Sequence, residues 1–179
     1  MAPSSSPSPS PASAHTPDAP PTAVARATFT VPPAVVWQYR LDFDNLPAYN
    51  PDVTNVRRIS DGDPDGVGGV WGVGARYAFD LADPRQPGQT HPIELWPVDA
   101  VEPTLVAAGM TGASDAYEEF VVEPRDGGGC EATLSLWLTL PDGLPEEMVA
   151  AAAASSLASI EKEVRLMKEN LEAATDASS

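Results

Sequence analysis

The sequence predicts an α+β fold: a curved antiparallel sheet of about seven strands wrapped around a long C-terminal helix, with two short helices after the first strand. Three observations carry this. Val149, Ala153, Leu157, Ile160, Val164, Met167 and Leu171 recur in steps of three and four, the spacing of one helical stripe. The segments before it alternate apolar and polar residues with period two, so one sheet face is covered. Hairpin-length connections join the later segments, which makes them antiparallel.

In chain order, Ala23 to Val31 is the first strand, with Val24, Arg26, Thr28 and Thr30 on one side. Pro32-Pro33 stops it and suits the first turn of a helix over Ala34 to Leu41, where Val35, Val36, Trp37 and Tyr39 are available for packing. A second short helix, Asn45 to Tyr49, precedes the turn at Asn50-Pro51. Val53 to Ile59 is β-branched enough for a strand, and Asp61 to Gly74 is a long Asp/Gly connection. Strands follow at Ala75 to Leu81, Gln89 to Val101, Thr104 to Met110, Asp115 to Val122 and Glu131 to Leu140. In the last of these, Ala132, Leu134, Leu136, Leu138 and Leu140 alternate with Thr133, Ser135, Trp137 and Thr139. Pro145-Glu146-Glu147 then opens the long helix with negative charge in its first turn, and the helix runs to about Ala173. Only this helix is large enough to cover the sheet.

Residues 1–22 are almost entirely Pro, Ser and Ala, a composition that predicts a disordered tail. Residues 23–174 form one domain and 175–179 a frayed end. The start lacks the basic and apolar regions of a signal peptide, and no stretch reaches membrane-spanning length. The formal charge is −16. A field of that sign disfavours nucleic acid and anionic lipid surfaces. Cys130 is the single cysteine, so an internal disulfide and a cysteine metal cluster are both excluded. A cytoplasmic protein without stable membrane insertion is the simplest expectation.

Few motifs point to chemistry. Asp61-x-Asp63-x-Asp65-Gly66 matches the first half of a calcium loop, but Gly72 stands where the bidentate Glu belongs, and the flanks predict strands. The glycines from Gly66 to Gly74 fit no phosphate-binding pattern. Ser159-x-x-Lys162 lies on the long helix without partner motifs and reads as helix surface. His91 is the one histidine of the domain, which leaves a lone general base or a polar strand-start residue as its two readings. No metal site and no cofactor are expected.

The order of elements and the residues at their joints resemble the helix-grip superfamily of START domains, Bet v 1-like proteins and the polyketide cyclase/dehydrase group. The resembling pieces are Ala34-Val35-Val36-Trp37, Asp42-Phe43-Asp44-Asn45-Leu46-Pro47-Ala48-Tyr49-Asn50-Pro51, Gly72-Val73-Gly74-Ala75-Arg76-Tyr77, Val101-Glu102-Pro103 and Gly128-Gly129-Cys130-Glu131-Ala132-Thr133. Two depart from the usual pattern: Thr104 replaces a second proline, and Cys130 stands where Thr is common. The likeness implies a mostly apolar pocket between sheet and terminal helix for a hydrophobic or aromatic small molecule. It also implies either a carrier or a cyclase/aromatase-type enzyme, and a protein-interaction module of the chaperone-activator kind is the third alternative.

Candidate pocket residues are the aromatics Trp37, Tyr49, Trp71, Tyr77, Phe79, Trp96, Tyr117 and Phe120, with Leu157, Ile160 and Val164 on the helix. Core is the favoured reading for each aromatic, since large rings fill the space between a bent sheet and a helix. Ala150 to Ala154 is a run of five small side chains that cannot fill the space beneath them. For catalysis the candidates are Glu118, Arg76 and His91. The resemblance implies a pocket Arg, yet Arg76 falls opposite the Tyr77-Phe79-Leu81 parity and so points outward. Glu118 shares parity with Phe120 and Val122, which would turn it inward, where it needs a partner or a raised pKa; the outward, solvated reading is the default for both residues.

Overall fold

The computed structural model describes residues 19–83, 86–112 and 115–176. Seven strands form one sheet: β1 (Ala23–Phe29), β2 (Val53–Ser60), β3 (Arg76–Ala82), β4 (Thr90–Val101), β5 (Leu105–Thr111), β6 (Ala116–Pro124) and β7 (Cys130–Leu138). Their order across the sheet is β1-β7-β6-β5-β4-β3-β2 and every neighbouring pair is antiparallel. Chain neighbours β1 and β2 therefore lie at opposite edges. The passage between them is made by α1 (Pro33–Leu41), a 3₁₀ turn (Phe43–Asn45) and α2 (Leu46–Tyr49). A second 3₁₀ turn, Gly69–Trp71, lies in the Asp/Gly connection after β2. The chain ends in α3 (Glu146–Asp176).

Register shifts between Pro97 and Asp99 on β4 and twice along β2 bend the sheet toward α3. Its inner face carries Tyr77 and Phe79, Ile93 and Leu95, Phe120 and Val122, Ala132 and Leu134, all buried. Alternate residues face outward, as period two requires. The short helices share the covering of this face, which corrects the expectation that the long helix covers it alone. Val36, Trp37, Leu41, Phe43, Leu46 and Tyr49 are all buried, and the Trp37 indole N–H donates to the Leu105 carbonyl at 2.8 Å. Val35, also expected to pack, is exposed.

The helical stripe is seated only along its second half. Ile160, Val164, Met167 and Leu171 are buried, whereas Val149 and Leu157 are exposed. Lengths explain this correction at Val149. A helix of 31 residues is about 46 Å long, and a seven-residue strand such as β1 spans about 23 Å. The helix overruns the strand it lies on.

Most of the predicted tail lies outside the described residues, but its last four, Ala19 to Thr22, are held on β7. Thr22 N–H donates to Leu136 O at 2.7 Å, and the Trp137 indole N–H donates to Ala19 O at 2.9 Å. At the other end, α3 continues through Thr175 into Asp176, two residues beyond the predicted domain limit. Among the described residues no helix is long and apolar enough to cross a membrane.

Candidate functional site

The site begins with three charged residues on apolar stripes. On α1 the buried face is Val36, Trp37, Arg40 and Leu41, so helical spacing turns Arg40 into the interior with its neighbours. On β6 strand alternation places Glu118 inward between Ala116 and Phe120. On α3, Glu163 sits one turn from both Ile160 and Met167 and shares their inward face. Each is almost fully buried, with relative exposures of 1, 6 and 7 % respectively.

Buried charges persist only when paired and hydrogen-bonded. Here they meet one another. Arg40 Nη2 donates to Glu118 Oε1 in a close ion pair, and Arg40 Nη1 donates to Glu163 Oε1 at 2.9 Å and to the Tyr49 hydroxyl at 3.0 Å. Asn50 Nδ2 donates to Glu163 Oε2 at 3.3 Å. The guanidinium also lies 5.5–5.8 Å from the ring centres of Phe43, Tyr49 and Phe120, within cation–π range. Arg40 Nε is buried without a hydrogen-bond partner among the described residues.

Charge at this cluster does not balance if both carboxylates ionise. Burial pushes Glu163 up, Arg40 pulls it back in part and Glu118 pushes it further, leaving its pKa at about 7. Burial alone disfavours the Arg40 cation, but the attraction of Glu118, Tyr49 and Glu163 outweighs it, so the guanidinium stays protonated. Burial likewise raises the Tyr49 phenol well above its ordinary value and keeps it neutral. The cluster thus holds one exchangeable proton near neutrality.

A cavity of about 580 Å³ opens above this cluster. One wall is the apolar inner sheet, Phe79, Leu81, Ile93, Leu95, Met110, Ala116, Leu136 and Leu138. The opposite wall is α3, which contributes Ser155, Ser156, Ala158, Ser159 and Ile160. Arg40, Asn50, Glu118 and Glu163 make the polar floor. Asp52 and Lys162, paired at 3.0 Å, line it together with His91, which contacts Asp83 Oδ2 at 3.0 Å. Small side chains on α3 explain the space: Ser and Ala leave unfilled what Leu or Phe would occupy.

Of the sequence candidates, Phe79, Ile160, Glu118 and His91 line the cavity. Tyr49 and Phe120 lie against Arg40, in the floor rather than the walls. Trp37 and Val164 are core, and Tyr77 packs its ring 5.1 Å from Phe43. Trp71 sits in the Asp/Gly connection with Arg58 over its ring. The remaining candidates lie elsewhere. Leu157 is exposed, although its neighbours Ser156 and Ala158 line the cavity. Trp96 and Tyr117 carry the outward parity of β4 and β6. Trp96 lies over Gly109, where an added Cβ would approach its ring to 2.8 Å. Tyr117 packs on Trp137 across the strand pair. Arg76 is outward as its parity predicts, bonded to Glu94 at 3.2 Å and lying over Trp96.

Sequence reasoning missed Arg40, Asn50 and Glu163. A signal existed for two of them, since Arg40 and Glu163 each put a charge inside an apolar helical stripe. The calcium-like aspartates serve their own loop: Asp61 pairs with Arg58, and Asp63 Oδ1 accepts from Asp65 N–H. Among the described residues there is no group of three or more potential metal ligands.

Residues 20–172 match the family model described as polyketide cyclase/dehydrase and lipid transport. Among solved structures, a START superfamily protein from Mycobacterium smegmatis superposes with a TM-score of 0.65 at 14 % identity, covering 83 % of this chain and 97 % of its own. A second protein, from Thermus thermophilus, superposes with a TM-score of 0.64 at 15 % identity, covering 85 % and 97 %. Ara h 8.0201 superposes at 0.58 with 16 % identity, covering 84 % and 96 %. Such identities speak for the fold alone. No curated protein matches the sequence.

Proposed function

The chain belongs to the polyketide cyclase/dehydrase and lipid transport family, and on that footing we propose that it binds and carries a small hydrophobic or aromatic molecule. The observation that carries the proposal is the cavity of about 580 Å³, apolar along the sheet and polar at one end. That volume lies within the roughly 300–1,000 Å³ of small-molecule sites. A two-ring aromatic buries about 200 Å². At about 25 cal/mol/Å² its transfer is worth about 5 kcal/mol before the costs of association.

The polar floor supports a binding role. Replacing a buried ion pair by apolar residues is often neutral, or stabilising by about 1–4 kcal/mol, so such a cluster is a poor device for stability alone. Its place at the end of an apolar cavity gives it a second use, fixing ligand orientation. The proposal keeps the protein in the cytoplasm, in line with a composition that has one cysteine, Cys130, and it is buried.

Fluorescence titration with the neutral dye N-phenyl-1-naphthylamine tests this. Saturable binding is expected, weakened at least about tenfold, or about 1.4 kcal/mol, by Ser156→Phe with the circular dichroism unchanged. No saturable binding, or an affinity indifferent to filling the cavity, refutes the proposal.

One observation favours the cyclase-type alternative. A carboxyl with a pKa of about 7 is suited to general acid–base work at neutral pH, and Glu163 is one, at the cavity floor. Dehydrative ring closure of a linear polyketone, read by mass spectrometry, checks it. Turnover lost in Glu163→Gln with dye binding retained supports catalysis; no turnover by the wild type rejects it.

A further inference from the structure

Resting on the carrier proposal, we infer that the cavity selects an uncharged ligand carrying a hydroxyl, an alcohol or phenol, and rejects carboxylates such as fatty-acid anions. Hydrogen-bond supply at the floor is the first argument. Each carboxylate can accept about four hydrogen bonds. Among the described residues Glu118 accepts from Arg40 alone, and Glu163 from Arg40 and, at 3.3 Å, from Asn50. The floor is therefore rich in acceptors and short of donors, and a ligand O–H supplies one.

Charge is the second argument. Of the cations lining the cavity, Arg40 is held by two buried carboxylates, and Lys162, part-exposed, pairs with Asp52 at 3.0 Å. His91 faces Asp83. A ligand carboxylate at the floor would shed its water beside Glu118 and Glu163, whose buried cation, Arg40, is already bonded to both. The formal charge of −16 opposes its approach as well.

A hydroxyl supplies the missing donor through its hydrogen. A ligand carboxylate brings none, and neither does a hydrocarbon.

Displacement of bound N-phenyl-1-naphthylamine by 2-naphthol, 2-naphthoate and 2-methylnaphthalene tests the inference, at about pH 7.5, where the phenol is uncharged. The expected order is 2-naphthol first, then 2-methylnaphthalene, then 2-naphthoate, with at least about tenfold between the first and last. Naphthoate binding as tightly as naphthol, or naphthol no tighter than methylnaphthalene, overturns the inference and leaves the carrier proposal standing. No binding by the dye or any of the three overturns both. In Glu118→Gln, where one floor charge is removed, the naphthol-to-naphthoate ratio should narrow. An unchanged ratio overturns the assignment of selectivity to the floor carboxylates.

Discussion

Glu163→Gln should stabilise the protein at alkaline pH, against the usual cost of removing one partner of a buried ion pair. Burial disfavours the Glu163 charge, Glu118 repels it and Arg40 compensates in part, so the pKa rises from 4.5 to about 7. The folded state therefore holds a proton between those values that the unfolded chain has released. Stability from this group is complete below 4.5, declines through the interval and is gone above about 7. At about 1.4 kcal/mol for each pH unit, the interval is worth about 3 kcal/mol. Glutamine reproduces the protonated, neutral side chain: its carbonyl can accept from Arg40 Nη1, and Asn50 meets its amide by turning its own. Near pH 5 the variant and the wild type should then unfold alike, while at about pH 8 the variant should be more stable by up to about 3 kcal/mol. With a urea slope of about 1–3 kcal/mol/M, the transition midpoint moves up by about 1–3 M. Urea titrations followed by tryptophan fluorescence at both pH values measure the difference. A variant less stable than the wild type at about pH 8, or an offset identical at both pH values, refutes the reasoning.

Arg40→Met strands two buried carboxylates, so at about pH 8 it should cost about 3–5 kcal/mol in urea unfolding. The loss should shrink toward pH 5, because Glu163, which burial pushes up to about 7, then holds a proton instead of remaining an unpaired charge. Met167→Ala, in the seated half of α3, should cost about 2–5 kcal/mol by leaving a hole beneath the helix, again by urea unfolding. Trp96→Ala removes a ring from the outer sheet face and should leave dye affinity within about twofold, or about 0.4 kcal/mol, of wild type by the same fluorescence titration.

The fold was readable because its elements announce themselves locally. Pro32-Pro33 marks the start of α1, the Ala132-to-Leu138 alternation marks β7, and Pro145-Glu146-Glu147 marks the start of α3. Parity placed Arg76 outward and offered Glu118 an inward reading, and the burial of Glu118 overturns the outward default for that residue. Parity could have removed Trp96 and Tyr117 from the pocket list as well, since they share the outward side with Glu94 and Glu119. Periodicity failed at Val149 because a stripe records which face of a helix is apolar, not how far along its length a partner reaches. The cavity itself had only a faint trace in the sequence. The small side chains that leave the space are Ser155, Ser156, Ala158 and Ser159, just past the Ala150-to-Ala154 run that stands out in the sequence, while the facing sheet curvature comes from register shifts no local pattern displays.

The floor cluster was hidden for a different reason. Glu118 and Glu163 lie 78 and 123 positions from Arg40 along the chain, and each of the three alone looks like an error in an apolar stripe. An ionised side chain in such a stripe conflicts with the local pattern, and a foldable sequence tolerates few conflicts. Three conflicts become admissible when the topology cancels them against one another. The chain passes α1 across the concave face between the two sheet edges, which brings Arg40 to β6, and α3 then closes over both. Cancellation is incomplete, because two carboxylates face one guanidinium. That residue of imbalance leaves Glu163 poised near neutrality and the floor short of donors. A cluster kept only to hold the fold would gain by losing one carboxylate, as the behaviour of Glu163→Gln at alkaline pH is expected to show. On the carrier proposal the surplus acceptor belongs with the cavity above it, where a ligand hydroxyl would supply the missing hydrogen bond.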